Sequence, residues 1–167
     1  MPYTEALAMR DYLAIAKKYN LVVDGLPSNL KAAHFYIQNN ICYAGNEQKD
    51  NEFKAAVAEY KHLEMKGKKY SVIVPESVDA MIKEGMDMHH CIASYIDMVC
   101  RGAIVLLLRK TEAPDESLVS FEVDENGEFV QIKGKYDADI EQTEDDSENN
   151  EIIAFLLKWR KKKFEKG

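Results

Sequence analysis

At 167 residues, with 46% hydrophobic and 31% charged side chains, the chain has the balance of a globular protein with one well-filled core. A net charge of −7 excludes a whole-surface electrostatic grip on nucleic acid, which needs clustered Lys and Arg, and leaves only a local basic patch for that purpose. Three cysteines (42, 91 and 100) form no disulfide framework, and no apolar run approaches the ~20 residues that span a bilayer, so a soluble cytoplasmic protein without membrane contact is expected.

The first expected helix, about Thr4 to Tyr19, places Met9, Tyr12, Leu13 and Ala16 on one stripe. Pro27-Ser28 opens a second, with Leu30, Ala33, Ile37 and Ile41 on one face and His34 beside them as a hydrogen-bonded core histidine. The polar run Gly45 to Asn51 breaks that helix. A third follows with Phe53, Val57, Tyr60 and Leu63 buried, and it should end by Gly67. Lys69 to Val74 is rich in β-branched residues and closes at Pro75, which suits a short strand. Ser77 then caps a short helix carrying Val78, Met81 and Ile82, and Gly85 should end it.

The uncommon chemistry is concentrated in Met88-His89-His90-Cys91, which leads into a helix with Ile92, Tyr95, Ile96 and Val99 on one face. A helix entrance carries unpaired N–H groups and a partial positive charge, conditions that favour a thiolate or a bound anion. Ala103 to Leu108 is apolar on both alternating faces and reads as the most buried strand, and Pro114-Asp115 turns the chain back. Asn126-Gly127 predicts a two-residue hairpin loop, with Val123 opposite Val130, Glu122 opposite Gln131, Phe121 opposite Ile132 and Ser120 opposite Lys133. One face of that hairpin is then apolar. The other shows Ser120, Glu122, Gln131 and Lys133, either to solvent or as the floor of a cleft.

From Asp137 to Glu151 there are eight acidic and no basic residues, the composition of a mobile loop. A last helix, about Asn150 to Phe164, sets Ile152, Phe155, Leu156 and Trp159 on the core and ends in Lys158, Arg160, Lys161, Lys162, Lys163 and Lys166. The expected fold is α+β in one domain over residues 1–167. Helices over 1–67 pack on a small, mostly antiparallel sheet of strands 69–74, 103–109, 117–123 and 128–133, and the C-terminal helix covers one face.

The order and spacing of Val74-Pro75-Glu76-Ser77, Glu84-Gly85, Met88-His89-His90-Cys91 with Tyr95, and Val130-Gln131-Ile132-Lys133-Gly134-Lys135 resemble the C-terminal module of the PcfJ-like proteins. The resemblance runs from the Asp11-Tyr12-Leu13 helix to the Phe155-Leu156-Leu157-Lys158-Trp159 helix. That family is encoded on conjugative plasmids, integrative elements and phages, and its namesake is associated with DNA processing before conjugation. The resemblance therefore implies an accessory protein of a mobile genetic element, acting by binding a protein or nucleoprotein partner. Relatives often read Gln-x-Arg-Gly-Lys-Asn-Asn where this chain has Gln131-Ile132-Lys133-Gly134-Lys135-Tyr136-Asp137. Lys133 cannot reproduce the planar, two-pronged contact of an Arg.

The residues leave other readings open. Cys91 could serve as a nucleophile with His89 or His90 as base and Gln131 as an oxyanion donor, on a nucleotide, nucleic-acid or acyl substrate. Zinc could take ligands from His89, His90, Cys91 and Cys100, although paired ligand spacings are missing and no cofactor is expected. Nucleic acid could meet Lys158, Arg160, Lys161, Lys162 and Lys163. Partner binding would use Tyr95, Glu122, Gln131, Lys133, Gly134 and Lys135. An inhibitor of a host defence complex, imitating nucleic acid with its acidic surface, is a further alternative.

Overall fold

The computed structural model describes Arg10 and residues 46–88, 95–142 and 145–165. The expected first two helices, with His34 and Cys42, lie outside the described residues, as do residues 89–94 of the His-His-Cys stretch. Helix α1 (Glu47–Ala58) begins inside the run read as a break, because Asn46 caps it by accepting a hydrogen bond from the Lys49 backbone N–H at 3.0 Å. Phe53 and Val57 face the core from α1. Tyr60 and Leu63, expected on the same helix, are buried just beyond it, Leu63 in a short 3-10 turn over Lys61–Leu63.

The sheet has five strands, each antiparallel to its neighbour, in the order of the sequence: β1 (Met65–Lys66), β2 (Tyr70–Ile73), β3 (Ile104–Lys110), β4 (Val119–Val123) and β5 (Phe129–Lys133). Strand β1 lies within the stretch expected to be helical. Two residues carry no readable alternation, and β1 exists because Gly67 closes a tight turn, its N–H donating to the Tyr70 carbonyl at 2.8 Å. Strand β3 is buried along its middle on both faces, as its unbroken apolar run predicts. Where β2 has ended, the Val105 carbonyl accepts from the buried Tyr60 hydroxyl at 3.1 Å.

Helix α4 (Ser147–Phe164) covers one face of the sheet. Trp159 meets Phe121 edge-on at 5.2 Å between ring centroids, and its indole N–H donates to the Leu63 carbonyl at 2.7 Å. Helix α2 (Val78–Met88) lies on the opposite face, since Glu84 reaches Arg109 and the β3–β4 register puts Arg109 on the side away from Phe121. Helix α3 (Ile96–Cys100) packs against α1 and turns into β3 at Gly102, where φ is +111°. The architecture is α+β, with the C-terminal helix on one face of the sheet, as expected.

The β4–β5 hairpin departs from its expected form in two ways that cancel. The loop is three residues, Glu125 to Gly127, closed by the Asp124 N–H on the Glu128 carbonyl, with Gly127 at φ +84°. Asp124 folds the turn with its carboxylate, which accepts from the backbone N–H groups of Asn126 and Glu128. Val123 thus pairs with Phe129 instead of Val130. A bulge next to Val123 absorbs the extra residue, leaves Val130 59% exposed, and restores Glu122 to Gln131, Phe121 to Ile132 and Ser120 to Lys133.

The acidic stretch is also more built than its composition suggests. Lys133 bridges to Asp139, the Ile140 N–H donates to the Ile132 carbonyl, and Asp146 caps α4 by accepting from the Asn149 N–H at 2.9 Å. Local backbone pairing and capping offset the ordering cost that low hydrophobicity leaves uncovered.

Candidate functional site

Helix α2 positions one wall of the candidate site. Ser77 accepts from the Ala80 N–H at 3.0 Å, and Asp50 of α1 accepts from the Val78 N–H at 3.0 Å, so two side chains hold its first turn. The ion pair with Lys54, together with that backbone N–H, keeps the Asp50 carboxyl below the usual range. Gly85 was expected to end the helix, yet α2 continues to Met88. Tertiary contact outweighs the propensity cost of a single helical glycine.

That contact is a buried ion pair. Glu84, 2% exposed, accepts from both terminal nitrogens of Arg109 on β3, one at 2.9 Å, and also from the Ser117 hydroxyl at 2.9 Å. The Arg109 Nε is buried with no hydrogen-bond partner among the described residues. Asp87, one turn on, reaches Ser117 at 3.5 Å, and burial raises its carboxyl above the usual range despite the nearby Lys83. The pair clamps the last turn of α2 to the sheet. Met88, fully buried, then delivers the chain to the His-His-Cys stretch, and Tyr95 takes it up again ahead of the buried Ile96.

His89, His90 and Cys91 themselves lie outside the described residues. Cys100, the remaining candidate zinc ligand, is half-buried on α3, and burial pushes its thiol up, the reverse of an activated thiolate. Among the described residues, no group of three or more His, Cys, Asp and Glu is placed to hold a metal ion.

The second wall is the polar sheet face expected from the hairpin register. Ser120, Glu122, Gln131 and Lys133 share the side of Arg109 and Leu107. Ser120 is buried, while Glu122, Gln131 and Lys133 are half-buried, so this face is not simply solvated. Lys133 pairs with Asp139 at 2.7 Å. The side chains of Glu122 and Gln131, directly opposite one another, have no hydrogen-bond or ion-pair partner among the described residues, and burial raises the Glu122 carboxyl above the usual range.

Beyond Lys133, the chain turns against α2 through a 3-10 turn over Lys135–Asp137. A Cβ at Gly134 would come within 2.9 Å of the terminal methyl of Ile140, which would have to shift. Lys135 is exposed, and Tyr136 is 62% exposed in the left-handed region at φ 59°. Asn tolerates this conformation better than an aromatic residue does.

The residues expected to meet nucleic acid divide into two sets. Arg160 reaches Glu128 at 3.4 Å and lies 5.7 Å over the Phe129 ring, and Lys163 donates to the His62 carbonyl at 3.0 Å. Lys158, Lys161 and Lys162 are exposed without ion-pair partners among the described residues. Sequence reasoning missed Glu84 and Arg109 as a pair. The available signals were a carboxylate three residues after Met81 on the apolar stripe and an arginine ending the most apolar strand.

Among the described residues no helix is long and apolar enough to cross a membrane. No curated protein and no solved structure matches the chain. The profile of the PcfJ-like proteins matches residues 3–148, which takes in α1 to α3, the His-His-Cys stretch, the whole sheet and the Gln131 to Lys135 segment, and the chain therefore belongs to the PcfJ-like protein family.

Proposed function

We propose that this protein is a cytoplasmic accessory factor of a mobile genetic element and acts by binding a protein or nucleoprotein partner through the polar sheet face. The observation that carries the reading is the Glu122–Gln131 pair, two half-buried polar side chains directly opposite each other without side-chain partners among the described residues. A polar group withdrawn from water costs free energy unless something completes its hydrogen bonds, and a docked partner does so. Tyr95, Lys133, Gly134 and Lys135 border the same region in this reading.

The test is quantitative capture with the full-length chain from cells that carry the element, comparing wild type with Glu122→Lys/Gln131→Glu and with Lys158→Gln. A partner lost only with the sheet-face variant supports the proposal. An identical set of captured proteins with all three overturns it.

A second reading, as an enzyme, is favoured by one observation: burial raises the half-buried Glu122 carboxyl, the direction that favours a general acid. In that reading Cys91 is the nucleophile and His89 or His90 its base. Iodoacetamide labelling of Cys91 no faster than that of free cysteine across the neutral range removes it. Substitution of His90 and Cys91 that spares partner capture then favours the binding role.

A further inference from the structure

Residues 62–69 run antiparallel alongside α4. The His62 carbonyl accepts from Lys163, the Leu63 carbonyl accepts from Trp159, Gly67 lies against Phe155, and Lys69 pairs with Glu151. The seam follows twelve helical residues, or about 18 Å of helix. Lys68 follows Gly67 on the hairpin side of the seam, whereas Lys66, paired with Ser71 and through it with Arg109, faces the other side of the sheet. Lys158 and Lys162 stand one and two turns beyond Phe155 on the same flank, with Lys161 beside them on the crest of the helix.

Lys68, Lys158, Lys161 and Lys162 are exposed, and none has an ion-pair partner among the described residues. Many cations elsewhere are paired, Lys49 and Lys54 on α1, Lys61 with Glu64, Arg109 with Glu84, Lys110 with Glu148 and Lys133 with Asp139, and the exposed Lys83, Arg101 and Lys135 sit on three separate elements. With 29 acidic residues against 22 basic ones, carboxylates are not scarce. A row of cations without counter-charges on a net-negative protein is a local field that attracts a polyanion.

We propose that this seam, built jointly by α4 and the β1–β2 hairpin, binds the phosphate backbone of a nucleic-acid strand. Its position is on the sheet face opposite Glu122 and Gln131, so it goes beyond the partner-binding reading and does not depend on it. An anionic membrane is the poorer occupant. Surface helices hold to lipid by an apolar face, and Ile152, Leu156 and Trp159, the apolar face of α4, are buried on the sheet. The lysines touch phosphate alone, so affinity is expected to be independent of base sequence.

Fluorescence anisotropy with a fluorescein-labelled oligothymidine, and with a duplex of mixed sequence as a second arm, tests this on the full chain. If all four lysines engage a single strand, affinity falls about fiftyfold between roughly 50 and 200 mM salt. With Lys68→Gln three remain and the fall is about twentyfold, and with Lys158→Gln/Lys162→Gln two remain and it is about sevenfold. Lys83→Gln, an exposed lysine on α2, leaves the titration unchanged. Three results overturn the proposal: no binding of either oligonucleotide at low salt, a salt response insensitive to Lys68→Gln, or adsorption to phosphatidylserine vesicles without binding to either oligonucleotide.

Discussion

Substitution of Glu84 by Ala isolates the interaction on which the placement of α2 depends. The carboxylate is 2% exposed, and it accepts from two guanidinium nitrogens and from Ser117. Its removal leaves the Arg109 charge buried, with two more nitrogens unpartnered beside an Nε that already lacks a partner. Breaking a buried pair from one side costs about 3–5 kcal/mol. At about 2–4 °C per kcal/mol for a chain of this size, the melting temperature falls by roughly 6–20 °C. Replacing both partners with apolar residues, Glu84→Leu/Arg109→Met, removes the desolvation cost as well and is expected to fall between neutral and about 4 kcal/mol more stable. The assay is thermal and denaturant unfolding by circular dichroism, with fluorescence of the single, buried Trp159 as a second probe. A loss below about 1 kcal/mol in Glu84→Ala, the size expected of a solvated pair, refutes the reasoning.

Other expectations follow from single positions. Gly67→Ala puts a Cβ 2.6 Å from the Tyr70 carbonyl oxygen and 2.7 Å from the Phe155 ring, and backbone cannot give way cheaply. A cost of roughly 1–3 kcal/mol in denaturant unfolding is expected. Tyr136→Asn keeps the left-handed turn with a residue that favours it, so a gain of about 0.5–1 kcal/mol should appear as a higher denaturant midpoint at constant slope. Glu122 holds its proton more tightly folded than unfolded, so between the ordinary glutamate value and its raised one the native state binds more protons, and stability falls as pH rises through that window. Glu122→Gln should remove this part of the pH dependence, and an unchanged stability–pH curve counts against burial of the carboxyl.

How far the sequence reaches is clearest in the β4–β5 hairpin. Asn126-Gly127 located the turn, but the dipeptide does not state whether Gly127 is the second loop residue or the third. Asp124, whose side chain closes the longer loop, decides it. The pairings of Ser120, Phe121 and Glu122 were legible because alternation fixes which residues share a face, and the compensating bulge restored the register. The Ser77 cap and the core stripe of α4 were legible for the same reason, as local periodic signals. What was not legible depends on contacts between distant segments. Glu84 and Arg109 lie 25 positions apart, and neither residue type suggests burial alone. Lys68 comes beside Lys158 and Lys162 only because Gly67 packs on Phe155. The acidic stretch read as mobile because composition records lost hydrophobic burial and is blind to a backbone bridge such as Lys133 with Asp139.

The Glu84–Arg109 pair also fixes where the end of α2 sits over the polar sheet face. Glu84 and Arg109 hold the last turn of α2 over β3, five residues before His89. The turn over Lys135–Asp137 packs on the same helix and continues β5 directly beyond Gln131 and Lys133. Helix α2 therefore joins Glu84 and Gly85, one piece of the family signature, to the turn beyond Lys133, and a shift of its end moves one against the other. The unpartnered Arg109 Nε fits a clamp that trades some hydrogen bonding for position. A small domain fixing a helix this way, instead of with one more leucine, gains orientation, since a bidentate pair sets the helix's rotation as well as its distance from the sheet.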